Sequence, residues 1–329
     1  MSDLGTTVVT GELANSAPVV GEPIDVPEPL LSAVSTALPS IRADAGIVAG
    51  RRVAAASLVG RAHQASGTSG QDAYSFSVSD DRSALVLVVC DGLGSRPHSA
   101  QLGAELLARF AAHSVAAIGQ ATAFTDGPRH LIAAVAEANE RLLACAATQL
   151  PGWHPPDLAT TLLVARLPLD PLGGPVLCAR VGDCESFLLR ETTFRSIFPD
   201  RGPRWLNTVT TTLPHPDAAS VIEVATVAAV RGDVLIVATD GLADDITNSP
   251  RIRAWLAERW SAPCGAHLMV DTLRYRRQGS LDDRTAIVVW DGAVTAHRSE
   301  PLAELADLPI YPEQSERRRR RGRFRLFGR

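Results

Sequence analysis

Val234-Leu-Ile-Val-Ala-Thr-Asp240-Gly-Leu242 is the stretch on which the reading of this chain turns. Five apolar residues with no polar alternation read as a strand buried on both faces. The run then stops at Asp-Gly. Ala84-Leu-Val-Leu-Val-Val-Cys-Asp91-Gly-Leu93 repeats the arrangement 150 residues earlier. A carboxylate at the end of a buried strand is costly unless it is paired or bound to a metal. One such Asp-Gly alone reads as a cap or an Asx-turn. Two in the same context suggest a shared cation. Gln71-Asp72-Ala73-Tyr74 and Leu281-Asp-Asp283-Arg-Thr-Ala-Ile-Val-Val289 add two further strand edges carrying Asp. The chain has no Cys-x-x-Cys and no His-x-x-x-His to supply soft ligands. An all-oxygen donor set favours Mg²⁺ or Mn²⁺ over zinc.

The 329 residues are 46% hydrophobic and 21% charged, enough for one large core with tails. No apolar run approaches the roughly 20 residues of a membrane span. No basic region followed by an apolar stretch opens the chain, so no secretory signal is expected. The five cysteines are odd in number and sit mostly among apolar residues. They read as small core residues of a protein kept in a reducing cytoplasm. All 32 basic residues are Arg. Residues 316–329 hold eight Arg and one Glu, a net of +7, which leaves −11 on the other 315 residues of a chain whose total is −4. An acidic body with a basic tail is not the layout of a nucleic-acid binder.

Residues 1–45, interrupted by Pro18, Pro23, Pro27, Pro29 and Pro39, read as a disordered arm, with a short helix allowed over 30–38. A globular domain over 46–297 follows, then a linker and the Arg-rich tail over 298–329. Strands are expected over 52–59, 159–167, 175–181, 186–189, 221–230, 234–239 and 285–290. Apolar residues at helical spacing predict helices over 99–117, 128–150, 250–260 and 266–277. Runs of strands with helix pairs inserted suggest an α+β sandwich.

Six segments in order carry a further signal: Gln71-Asp-Ala73, Val89-Cys-Asp-Gly-Leu-Gly94, Ala159-Thr-Thr-Leu162, Val181-Gly-Asp-Cys-Glu185, Ala238-Thr-Asp-Gly-Leu242 and Asp282-Asp-Arg-Thr285. Together they resemble the metal-dependent protein phosphatase 2C (PPM) family, in its short bacterial subgroup, over about residues 55–292. Each motif is weak alone; the order and spacing of all six are specific. The resemblance implies a four-layer α-β-β-α sandwich, with two mainly antiparallel β-sheets flanked by helix pairs. It also implies a serine/threonine protein phosphatase with two Mn²⁺ or Mg²⁺ ions, which lower the pKa of a bridging water and offset charge on the phosphoryl group.

By the same resemblance Asp91 bridges both ions, the Gly92 carbonyl ligates one, and Asp240 and Asp282 complete the set. Asp72 ligates directly or through a water. Gln71 stands where many members have Glu. Asp183 reads as a turn residue, Asp157 as a candidate contact for a third, weaker ion, and Asp283 as a supporting acceptor or accessory ligand. Many members place a phosphate-binding Arg where this chain has Gly67, and animal members often have His where it has Leu93. His63, with Arg61, is therefore the candidate for phosphate contact or leaving-group protonation; a packing role is the alternative. His98 is a second such candidate.

The expected substrates are phosphorylated proteins, those of a Ser/Thr kinase. The tail, with Phe324, Leu326 and Phe327 among its Arg, suits an anionic membrane surface, here the inner face of the membrane, or an acidic partner. A solvated tail is the alternative. The competing function is a pseudophosphatase binding module that keeps the fold and signals by docking. Gln71, Gly67 and Leu93 leave it open, while the retained carboxylates Asp72, Asp91, Asp240 and Asp282 speak for catalysis.

Overall fold

A computed structural model describes residues 20, 41–93, 99–170, 174–199, 210–229 and 232–290. His98, the Arg-rich tail and the proposed 30–38 helix lie outside them. The strands are β1 (Ile41–Val48), β2 (Arg51–Leu58), β3 (Asp72–Val78), β4 (Ala84–Asp91), β5 (Leu162–Pro168), β6 (Val176–Val181), β7 (Glu185–Arg190), β8 (Thr193–Ser196), β9 (Glu223–Val227), β10 (Val234–Ala238) and β11 (Arg284–Trp290). The helices are α1 (Arg61–Ser66), α2 (Ser99–Ala116), α3 (Gln120–Gln149), α4 (Ala218–Val221), α5 (Asp240–Asn248), α6 (Pro250–Arg259) and α7 (Ala266–Leu273).

Two antiparallel sheets form, in the orders β1-β2-β11-β10-β7-β8 and β3-β4-β5-β6-β9. The unbroken apolar run of β4 is explained by burial on both faces. Leu85, Leu87 and Val89 pack between the sheets with Val53, Ala55 and Ile287. Val86, Val88 and Cys90 face the layer of α2 and α3, where Ala104, Leu107 and Leu131 are buried. The other outer layer covers β10 and β11 with Leu242, Ile252, Leu256, Trp260 and Met269. Burying a Val, Leu or Ile side chain contributes about 1.5–3 kcal/mol, so these three cores hold the layers together. The result is the expected α-β-β-α sandwich.

Some boundaries differ from the sequence reading. β1 begins at Ile41, inside the stretch read as an arm, and pairs along its length with β2. Its small residues Ala43, Ala45 and Gly46 mask the alternation. Val20 also packs on the body, and its amide donates to the Arg276 carbonyl at 2.9 Å. α3 is two helices meeting at Asp126 (φ −151°), with Pro128 in the first turn of the second. α7 stops at Leu273, and Arg284 Nη1 caps this end by donating to Leu273 O and Tyr275 O. Among the described residues no helix is long and apolar enough to cross a membrane.

Candidate metal centre and active site

The carboxylates converge because of strand register. Asp72 opens β3 and lies directly opposite Asp91, the last residue of β4. In the other sheet Ala238, ending β10, faces both Ala286 and Glu185. The same end of that sheet therefore carries Asp240, the Asp282-Asp283 pair before β11, and Asp183 before β7. Carboxylate oxygens of Asp91, Asp183 and Asp240 all lie within 4.8 Å of one another. His63, Asp282 and Asp283 form a second such group.

Each residue has a local reason to be where it is. Asp240 is the first residue of α5, where the helix N-terminus favours a negative charge. Gly241 follows because a Cβ there would stand 2.0 Å from the Asp283 carbonyl oxygen. Gly60 packs equally close on Asp282: its Cβ would meet that residue's carbonyl carbon at 2.2 Å. The Asp91 backbone is pinned by Thr160 and Thr161: its carbonyl accepts from Thr160 Oγ1 and from Thr161 N, both at 2.8 Å. Its amide donates to Thr161 Oγ1 at 3.2 Å. This gives the Ala-Thr-Thr-Leu segment a physical role. Gly92 bridges to Thr160, and its amide donates to Gln71 O at 3.1 Å. Gln71 thus serves through its backbone.

Asp283 is buried and fully occupied. Its Oδ1 accepts from Gly60 N at 2.5 Å and contacts His63 Nδ1 at 2.9 Å; its Oδ2 accepts from Gln71 N at 2.6 Å. It therefore orients its neighbours, as a supporting acceptor. The Asp283 hydrogen bond raises the His63 pKa above its ordinary value, and burial opposes it. Arg61 opens α1, two residues before His63. Gly67, where the family resemblance would place an Arg, is the α1 C-cap at φ +68°, a backbone that favours glycine.

The centre is electrostatically crowded. Burial first, then the charge of Asp283, pushes Asp72 well above the usual carboxylate range; the Thr239 Oγ1–H donated to Asp72 Oδ2 at 2.8 Å offsets part of this. Asp91 is pushed up likewise, by burial and by the charges of Asp72, Asp240, Asp282 and Asp183. Carboxylates packed this way repel one another unless cations lie among them. The donor set, all hard oxygen, fits Mn²⁺ or Mg²⁺.

Two sequence expectations change. Asp183 does sit in a turn, after Gly182 at φ +91°, yet its carboxylate joins Asp91 and Asp240, and its Oδ2 also accepts from Thr210 Oγ1 at 3.0 Å. Asp157 is outside both groups: it accepts from His154 N at 2.9 Å in the capping box of a 3₁₀ turn, Pro155–Leu158. Asp183, beside Asp91 and Asp240, thus joins Asp157 as a candidate contact for a third ion.

Such a sandwich, with acidic residues gathered at one edge of both sheets, is the setting for metal-dependent hydrolysis. The family model for protein phosphatase 2C matches residues 59–274, and the chain belongs to that family of metal-dependent serine/threonine protein phosphatases. No curated protein matches the sequence. Among solved structures it is similar to PppA, described as a key regulatory component of T6SS in Pseudomonas aeruginosa. That match has 20% identity and a TM-score of 0.50, over 76% of this chain and 99% of that one. A variant of a bacterial serine phosphatase matches at 16% identity and a TM-score of 0.51, over 73% of this chain and 97% of that one. The catalytic domain of the serine/threonine phosphatase PstP, solved with two manganese ions, matches at 21% identity and a TM-score of 0.48, over 73% and 97%.

Proposed function

We propose that this chain removes phosphate from phosphoserine and phosphothreonine in protein substrates of a Ser/Thr kinase, with Asp72, Asp91, Gly92, Asp240 and Asp282 holding two Mn²⁺ or Mg²⁺ ions and Asp183 beside them. The observation that carries this is the convergence of Asp91 at the end of β4, Asp183 in the turn before β7 and Asp240 at the start of α5, from both sheets, to within 4.8 Å. When bound, the ions supply an activated water and neutralise charge on the phosphoryl group.

The chain's own residues do the rest. The Asp91 backbone is held by Thr160 and Thr161, so its carboxylate leaves the strand where both halves of the site meet. Asp283 engages His63 Nδ1 and leaves Nε2 to act. With its pKa raised, the ring is suited to donate a proton to the leaving oxygen, or a hydrogen bond to phosphate. Arg61, at the start of the same short helix, is the second candidate for phosphate contact. The docking-module reading has no observation in its favour, since a scaffold has no chemical need for this crowded set of carboxylates. The Arg-rich tail offers reversible attachment to an anionic membrane surface or an acidic partner.

Turnover of a phosphoserine peptide, measured with EDTA and after adding back Mn²⁺, tests the reading. Metal-restored turnover is expected, and its absence refutes it.

A further inference from the structure

Among the described residues β3 pairs on one side only, with β4; on its outer edge the Asp72 carbonyl accepts from Arg42, and Tyr74 to Phe76 have no strand partner. An open edge is a template for an added strand. A cleft of about 460 Å³ runs along this edge. Arg42 and Asp44 of β1 form one wall, Glu105 and Arg109 of α2 the other, and Tyr74 and Phe76 of β3 lie along the floor. The strand that forms the floor starts at Asp72 in the metal centre. At about 3.3 Å per residue, Tyr74 to Phe76 lie roughly 7–13 Å from Asp72, or two to four residues of extended peptide.

The charges in the cleft are not equally committed. Arg42 pairs with Glu105, donates to the Asp72 carbonyl at 3.1 Å and stacks 5.6 Å from the centre of the Tyr74 ring. The Tyr74 hydroxyl donates to Asp44 Oδ2 at 2.6 Å. Arg109 lies one helical turn beyond Glu105, is exposed, and makes no ion pair among the described residues. One wall therefore offers an uncommitted guanidinium, and the opposite wall a carboxylate.

We propose that this cleft receives the substrate segment flanking the phosphorylated residue as a strand added to β3, and that Arg109 reads an acidic side chain two to four residues from it. This rests on the phosphatase reading above. Side chains of an added strand alternate between the two walls. Acidic residues are thus favoured where they face Arg109 and disfavoured where they face Asp44. The preference is positional, not a general attraction to negative charge.

The test is a panel of phosphoserine peptides with one Glu or one Lys placed in turn at each of the five positions on either side, all others Ala. kcat/KM is measured with Mn²⁺ for the full chain and for Arg109→Glu, beside a small aryl phosphate. For the unaltered chain, Glu should raise kcat/KM about fivefold at one or two alternate positions, the size of an exposed ion pair. Arg109→Glu should make Lys the favoured residue there and leave the aryl phosphate unchanged. Methylating the peptide's backbone nitrogens over that stretch should abolish the preference. A flat profile, a profile unchanged in Arg109→Glu, or one indifferent to methylation overturns the inference, and turnover of the aryl phosphate then leaves the phosphatase reading standing. If neither peptide nor aryl phosphate is turned over with Mn²⁺, the underlying reading fails and this inference with it.

Discussion

Replacing Asp283 by Ala should cost more stability than replacing any of the carboxylates that face the ions. The side chain accepts from Gly60 N, Gln71 N and His63 at 2.5, 2.6 and 2.9 Å, and it lies in the interior. Truncation strands the two backbone N–H groups, each worth about 1–3 kcal/mol when left unmade. Removing a negative charge beside Asp72 gives part of this back. The expected net loss is about 3 kcal/mol, a large share of the roughly 5–15 kcal/mol available to a folded domain. Urea unfolding of the full chain in EDTA, followed by circular dichroism, measures it. The sign of its pH dependence also follows. Asp283 raises the folded-state pKa of His63, so that pair's contribution is fully present below the unfolded value of 6.5 and is lost as pH rises through the folded value. The gap between wild type and Asp283→Ala should therefore narrow on going from pH 6 to high pH. A loss below about 1 kcal/mol at pH 6 would refute the role assigned to Asp283, since it is less than one stranded N–H costs.

Three other outcomes are expected. His63→Ala should lower kcat about 10²-fold on an alkyl phosphate and much less on an aryl phosphate, if His63 protonates the leaving oxygen; equal losses point to phosphate binding, and no loss to packing. Asp72 and Asp91 have raised pKa values in the metal-free fold, so the stability they contribute is present at low pH and lost as pH rises through those values. Thermal melts should accordingly show the EDTA-treated protein weakening with rising pH, and Mn²⁺ stabilising it more at pH 8 than at pH 5. Deleting 316–329 should leave aryl phosphate turnover unchanged and reduce co-sedimentation with anionic vesicles, with about 1 kcal/mol of attraction lost per basic residue near the surface; added salt should weaken binding of the full chain.

Much of the site was legible because burial on both faces leaves a distinctive mark. β4 and β10 have no polar residue until the chain reaches Asp91 and Thr239-Asp240, and that abrupt change exposed both carboxylates. Asp183 was harder to see. Val-Gly-Asp is an ordinary turn sequence, and the turn is real; only the pairing of Ala238 with Glu185 shows that this turn opens onto the metal centre. A fully buried strand running straight into Gly-Asp was the available clue. The supporting role of Asp283 comes from the family resemblance alone; nothing beside it in the sequence shows its partners, because Gly60, His63 and Gln71 lie more than 200 residues away. β1 was missed because small residues supply too little alternation, and α5 because nine residues are too few to show a helical period.

In the proposed site Asp91 joins the two halves of a metal centre that hydrolyses phosphoserine. Asp91→Asn tests it most directly, as Mn²⁺-dependent turnover of a phosphoserine peptide measured beside Mn²⁺ binding by calorimetry and a circular dichroism spectrum. An unchanged spectrum, weakened Mn²⁺ binding and loss of turnover are expected. Wild-type turnover in folded Asp91→Asn would contradict it.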